Sequence, residues 1–326
     1  MSIQHALSIL LQTEIVLVQT LKSFDIVVLK VENAAGQAWV VKLYPFHKSE
    51  SIHKIVEIGT YLQRVKERFP DLQLQTNTNG GGILFDYGLA QSTESDLRWA
   101  MVYPWVDHVP EQPITVELCT QMGRVMAKLH QVSRDFDQKL PLTQIDHHLI
   151  SAIGPLAQEH ALFQGLSEDT QTNFQSNLLQ LCASMQAIGY AAEDYGLIHS
   201  DLHWGNWLQT EQGLVAIDFD ETAYGHYLLD LAVVYNEIQT MLPSDAQHEG
   251  ERALWAGYKA QCGYIPNHWS AYWPIFKKIG AALYLNWAFV PDNAAVLEVE
   301  KVRNMAVWCV EMVAFNVSPQ FFEHIE

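Results

Sequence analysis

Basic residues are scarce in this 326-residue chain. Lys and Arg total 19 against 37 Asp and Glu, a formal net charge of −18. A phosphate backbone is held by clustered Lys and Arg, so nucleic acid is disfavoured as a partner, and an anionic membrane surface with it. Cysteine is scarce too. Cys119, Cys182, Cys262 and Cys309 stand far apart and form no CxxC pair. That argues against a disulfide framework or a thiolate metal site, and for reduced thiols in a cytoplasmic protein. No uncharged apolar run is long enough to span a bilayer. The apolar stretch at residues 6–11 is short, with no basic segment before it and no small-residue cleavage site after it, and it does not read as a signal peptide. There is no internal repeat and no low-complexity segment.

What is present describes a soluble globular protein. Hydrophobic residues make up 49% of the chain and the ten Trp are spread along it, which argues against disorder. The acidic field would draw in a cationic small molecule, but it would draw in any cation, and acidity for solubility explains it without a partner.

The first hundred residues read as strand-rich. Apolar β-type runs occupy residues 15–20, 26–31 and 38–44, the last two joined by turn residues Asn33, Gly36 and their neighbours as a hairpin. Residues 49–68 show helical spacing through Ile52, Ile55, Val56, Tyr61, Leu62 and Val65, with Pro70 barring continuation. Strands are expected at 82–87 and 97–105, joined by a polar turn at 92–96. After Trp105 the texture becomes helical, at 115–132, 173–188, 228–238, 254–258 and 276–289. A short apolar run at 214–217 reads as a strand. A sheet with one helix followed by a mostly helical half is an α+β pattern in two lobes. The expected division is 1–103 and 104–326, with the joint at 102–108.

Chemistry concentrates in residues 198–206. His199, Asp201, His203, Gly205 and Asn206 follow an apolar entry, and twelve residues after Asn206 comes Asp218-Phe219-Asp220 at the end of the short strand. Phosphoryl transfer needs a carboxylate to orient and deprotonate an attacking hydroxyl, and oxygen ligands for the Mg²⁺ that neutralises phosphate charge. Asp201 suits the first task; Asn206 and Asp218 suit the second.

His199-Ser200-Asp201, Gly205-Asn206 and Asp218-Phe219-Asp220 together resemble the catalytic loop of the aminoglycoside phosphotransferase and choline kinase superfamily, small-molecule relatives of protein kinases. The Asp-to-Asn spacing of five equals that of protein kinases. Ser200 stands where the family usually has Gly, and Trp204 where Pro is common. Asp230-Leu231-Ala232 resembles the family's loop-bracing Asp, and Lys128-Leu129-His130 its helix ending in Leu-His. Trp39-Val40-Val41-Lys42 resembles the strand with the ATP-binding Lys. The resemblance covers most of residues 15–235. It implies a protein-kinase-like fold, an N-terminal antiparallel sheet with one helix and a larger, mostly helical C-terminal lobe. It also implies ATP as co-substrate, Mg²⁺ and a small-molecule hydroxyl acceptor: an aminoglycoside, an amino alcohol or a sugar.

Residue by residue, the resemblance implies Asp201 as base, Asn206 and Asp218 as metal ligands, and Lys42 on the ATP phosphates. Glu57 best matches the acid that fixes that Lys, with Glu50 as competitor. Tyr103 belongs to the hinge at 101–105, where adenine would meet backbone groups. One departure stands out: residues 21–25 hold no glycine, so the phosphates lack a glycine-rich cover, and Ser23 with N–H groups near Phe24 is the substitute. Asp220 reads equally as a second metal ligand or a turn cap, Asp230 and His130 as structural. The C-terminal aromatics Tyr258, Tyr264, Trp269, Tyr272, Trp273, Tyr284 and Trp287 read mostly as core, with one or two reaching a substrate pocket.

Three rival readings accompany this one. A protein Ser/Thr kinase of the same fold is suggested by a likeness of residues 40–57 to bacterial stress-response kinases. A non-catalytic pseudokinase would still bind nucleotide, but every catalytic acid is present. His199, Asp201 and His203 also spell His-x-Asp-x-His, a metal-hydrolase pattern that leaves Asn206, Asp218 and Lys42 unexplained.

Overall fold

The structure, a computed structural model, describes residues 3–23, 26–45, 49–72, 74–76, 83–86, 97–110 and 113–315. In chain order the main elements are α1 (Ile3–Leu11), β1 (Ile15–Ser23), β2 (Val27–Asn33), β3 (Ala38–Pro45), α2 (Ser49–Arg68), β4 (Ile83–Asp86), β5 (Leu97–Pro104), α3 (Val116–Arg134), α4 (His147–Glu159), α5 (Ala161–Gln164) and α6 (Glu168–Ile188). Then come β6 (Tyr195–Ile198), β7 (Trp207–Thr210), β8 (Gly213–Ala216), β9 (Ala223–His226), α7 (Tyr227–Met241), α8 (Ser244–Cys262), α9 (Trp269–Ala288) and α10 (Glu300–Phe315). The chain divides into two compact units. One holds residues 1–111, 137–141 and 208–220; the other holds 112–136, 142–207 and 221–326.

Period-two alternation builds the first unit. Its sheet runs β1-β2-β3-β5-β4, antiparallel throughout. The β2–β3 hairpin turns where expected: Asn33 Oδ1 accepts from the N–H of Ala35 and Gln37, and Gly36 supplies a φ of +79° that other residues rarely adopt. Along β3, Val41 and Leu43 face one side and pack with Leu29, Val31, Ala100, Val102 and Leu7. Val40 and Tyr44 face the other and pack with Ile52, Ile55, Met101 and Tyr103. Helix α1 thus covers one face and α2 the other. At nine residues α1 is too short to stand alone in water, so docking of Ala6 and Leu7 on the sheet is what holds it. Lys42 lies between Val40 and Tyr44 and therefore shares the α2 face. Residues 208–220 join this unit through a Leu74–Ala216 bridge and the Val109 N–H to Gln209 carbonyl bond of 2.9 Å.

Side-chain caps and close backbone packing organise the second unit. Thr115 caps α3, Asp146 caps α4 and Ser167 caps α6, each accepting from N–H groups of the first turn. Helices α3 and α8 approach so closely that a Cβ on Gly123 would strike the Leu254 carbonyl, and one on Gly257 the Thr120 carbonyl. Strands β6 and β9 pair antiparallel and deliver the chain to the loop at 199–206 and to α7. Architecture and class match the α+β, kinase-like expectation, with α1 as an additional helix on the sheet. Among the described residues no helix is long and apolar enough to cross a membrane.

Candidate active site

In the second unit, β6 ends at Ile198 and the chain turns sharply. Ser200 adopts φ +67°, the left-handed region that costs a side-chain-bearing residue energy and that glycine enters freely. Asp230, on the first turn of α7 and fully buried, holds the turn. Its Oδ2 accepts from the His199 N–H at 3.0 Å and its Oδ1 from the Ser200 N–H at 2.8 Å. The Ser200 hydroxyl donates to the Glu221 carbonyl at 2.5 Å. Behind Asp230 stands His130, whose Nε2 lies 3.0 Å from Asp230 Oδ2 and whose Nδ1 lies 2.9 Å from the Tyr258 hydroxyl. Burial holds His130 below its usual range, and so neutral. Burial pushes Asp230 up, but the bonds from His130 and the His199 N–H outweigh it and keep the carboxylate ionised. The tautomer follows: Nε2–H donates to Asp230, and Nδ1 accepts from Tyr258, which burial keeps protonated.

The braced loop presents Asp201 half-exposed, its side chain at 46% of full exposure. Asn206 donates from Nδ2 to the Asp201 carbonyl at 2.7 Å and to its Oδ2 at 3.1 Å. With the amide nitrogen so committed, the amide oxygen of Asn206 is the atom left to face a cation. His203 caps the one-turn helix Trp204–Asn206, its Nδ1 accepting from the Gly205 N–H at 3.1 Å. The Trp204 N–H donates to Glu237 Oε2 at 3.1 Å. Glu237 lies seven residues after Asp230, hence on the same face of α7, so one helix grips the loop at both ends. Burial pushes the Glu237 carboxyl up, the Trp204 N–H and His203 opposing it.

In the first unit, Lys42, buried to 5% exposure, meets two acids from the end of β8. Its Nζ is 2.5 Å from Asp218 Oδ1 and 3.0 Å from Asp220 Oδ2. The Tyr44 hydroxyl donates to the same Asp220 oxygen. The Tyr103 ring lies 5.4 Å from the ammonium. Burial alone would lower the Lys42 pKa; Asp220 and then Asp218 outweigh it and keep the ammonium charged. Asp218 itself adopts φ +62°, a left-handed conformation uncommon for a residue with a side chain.

Of the residues singled out in the sequence, the fold brings Asp201 to Asn206 and Lys42 to Asp218. Tyr103 sits on β5 opposite Val40, on the Lys42 face. Glu57 lies on α2 but makes no ion pair with Lys42; among the described residues the ammonium pairs with Asp218 and Asp220 instead. Ser23 ends β1; its side chain and all of Phe24 lie outside the described residues, as do Gly80–Gly82 and the expected turn at 92–96. His199, Asp201 and His203 do not gather as a three-ligand metal set. His199 is buried in the loop, and the described trios that could hold an ion lie elsewhere, at Asp146–His148 and at Glu193, Asp194 and His268. That removes the support for the hydrolase reading. Sequence reasoning missed Tyr44 and Glu237. Both carried a signal: Tyr44 is two residues from Lys42 on a strand, and Glu237 two helical turns from Asp230.

A model of the phosphotransferase enzyme family matches residues 22–271 of this chain. No curated protein matches it in sequence. Among solved structures, a microcompartment-associated aminopropanol kinase aligns at 17% identity and TM-score 0.71, covering 95% of both chains. The amicoumacin kinase hAmiN, solved with AMP-PNP, Ca²⁺ and Ami, aligns at 14% identity and TM-score 0.67, over 93% of this chain and 89% of its own. Choline kinase LicA from Streptococcus pneumoniae aligns at 16% identity and TM-score 0.61, over 96% and 97%.

Proposed function

The chain belongs to the phosphotransferase enzyme family, and from that premise we propose that it moves the terminal phosphoryl group of ATP to a hydroxyl of a small molecule, with Asp201 as the base. The observation that carries this reading is the Asp201–Asn206 pair on a loop pinned by Asp230. A loop held in the left-handed turn at Ser200 keeps the Asp201 carboxylate at a fixed place, and at half exposure that carboxylate is accessible to a substrate hydroxyl. Asp201 accepts the hydroxyl proton as the oxygen attacks the γ-phosphorus, the bond from that phosphorus to the bridging oxygen breaks, and ADP leaves with the electron pair on its β-phosphate oxygen.

Lys42 contributes the cation for the α- and β-phosphates. A buried ammonium kept charged by carboxylates is already ionised and aimed when an anion arrives. The donor atoms fit a hard divalent cation: the Asn206 amide oxygen, and the carboxylate of Asp218, at 33% side-chain exposure. Mg²⁺, when bound, would supply neutralisation of phosphate charge. In this reading Asn206 and Asp218 would hold the metal, Tyr103 belongs to the segment that would meet adenine, and Ser23 to the segment that would cover the phosphates. Acceptors bearing an amine head the panel, because the aligned structures include an aminopropanol kinase and a choline kinase, and because the protein's field attracts cations.

The test is Asp201→Asn. Turnover of an acceptor found by a nucleotide-consumption screen over amino alcohols, aminoglycosides, sugars and generic protein substrates should fall about 10²–10⁴-fold, with ATP affinity within a few-fold of the parent. Unchanged turnover in the variant ends the assignment of Asp201 as base. Nucleotide binding with no turnover across the whole panel would favour the non-catalytic alternative.

A further inference from the structure

We infer that Asp220, held by Tyr44, is the fixed counter-ion of Lys42 in this chain, a positioning residue in the place the family gives to a helix acid, while Asp218 is the exchangeable partner. The inference rests on the reading of Lys42 as a phosphate ligand. It starts from alternation: Lys42 and Tyr44 share one face of β3, so an acid that reaches one reaches the other. Asp220 Oδ2 receives both, the ammonium at 3.0 Å and the phenol hydroxyl. Its side chain is 15% exposed against 33% for Asp218. A carboxylate with one oxygen shared by two donors and little water around it is committed; moving it to a metal would strand a buried ammonium and a buried hydroxyl. Asp218 is the more open of the two, and solvent reaches its carboxylate while it holds Lys42.

Glu57 is not placed for the role, since it forms no ion pair with Lys42. An ammonium has three N–H groups. With Asp220 holding one throughout, release of Asp218 leaves two for phosphate oxygens, and Lys42 keeps its aim while it changes partners. Asp220 therefore acts through Lys42 and not on the metal.

Four variants of the full chain test this: Asp220→Asn, Tyr44→Phe, Glu57→Gln and Asp218→Asn, with Lys42→Met as control. The readouts are affinity for ATP without metal by calorimetry, the Mg²⁺ concentration giving half-maximal enhancement of ATP binding, and Tm. Lys42→Met should weaken metal-free ATP binding; parental affinity in that variant removes the phosphate-ligand reading, and the counter-ion role with it. Given a weakened control, Asp220→Asn should weaken metal-free binding about tenfold or more, Tyr44→Phe less, and Glu57→Gln least. The Mg²⁺ midpoint should move in Asp218→Asn and stay near the parental value in Asp220→Asn and Tyr44→Phe. Tm changes for Lys42→Met and Asp220→Asn should be non-additive when combined. Should Asp220→Asn fail to fold, Tyr44→Phe, which loses one hydroxyl, carries the same comparison with Glu57→Gln. A larger loss in Glu57→Gln than in Tyr44→Phe and Asp220→Asn overturns the inference. So does a Mg²⁺ midpoint displaced in Asp220→Asn as far as in Asp218→Asn.

Discussion

Ser200 occupies a backbone conformation with φ +67° that suits glycine, and its loop neighbours compensate: the N–H goes to Asp230 and the hydroxyl to Glu221. Ser200→Gly relieves the strain but forfeits the hydroxyl bond, so stability by urea unfolding should change by less than about 1 kcal/mol. Ser200→Val places a β-branched side chain in the same region and should cost about 1–3 kcal/mol. A Val variant as stable as the parent would show the turn to be relaxed. Glu237 gives a pH-dependent outcome. Burial raises its folded-state pKa above the ordinary 4.5, so the folded protein keeps this proton to higher pH than the unfolded chain does. Its contribution is therefore present below 4.5 and is lost as pH rises through the folded value. Glutamine has no proton to lose. The stability of Glu237→Gln relative to the parent should rise as pH increases from 4.5 and then level off, measured by urea unfolding across a pH series. A flat difference would mean that Glu237 is solvated. At this scale the sequence made the loop legible because its chemistry needs particular residues at fixed spacing. It did not reveal Glu237 or Tyr44 in their roles, because a single carboxylate or phenol acquires a partner only when distant segments fold together.

Among the elements, an amphipathic helix and the longer apolar strand runs were the legible ones. Helix α2 spans Ser49–Arg68 as its apolar spacing and Pro70 indicate, and the strands at 38–44 and 97–105 fall within a residue or so of β3 and β5. Helix α10 was not foreseen: Ala306, Trp308, Cys309, Val310, Met312, Val313 and Ala314 are all buried, which leaves little polar periodicity to read. Strands β6 and β9 are four residues each, too short for alternation to register. Close helix packing was equally invisible, because a glycine in a helix declares its purpose only when its neighbour is known. Gly257 lets α8 approach the Thr120 carbonyl of α3. Gly257→Ala gains helix propensity of roughly 1 kcal/mol, yet the added methyl meets backbone, which cannot rotate away. The net result should be a loss of about 1–3 kcal/mol, read as a lower urea midpoint at unchanged slope. A gain in stability would mean that the two helices can separate without cost.

For the whole molecule, the informative quantity is the charge of −18. That two later segments, 137–141 and 208–220, cluster with the first hundred residues could not be read from linear patterns, since contact between remote stretches leaves no local periodicity. Net charge, by contrast, is a property of the sequence alone and acts at long range. A negative protein concentrates cations near its surface and repels anions, and the effect weakens as salt screens it. Raising ionic strength from about 0.1 M to about 1 M shortens the screening length from about 10 Å to about 3 Å. A cationic acceptor should therefore show a KM that rises several-fold over this range at saturating ATP, while an uncharged sugar acceptor should show a nearly constant KM. The comparison discriminates acceptor classes without a bound structure, because screening acts on the charge of the acceptor and not on its shape. A preferred acceptor carrying an ammonium group whose KM ignores salt would mean that its recognition depends on contacts shorter than the screening length, and that the acidic surface serves solubility alone.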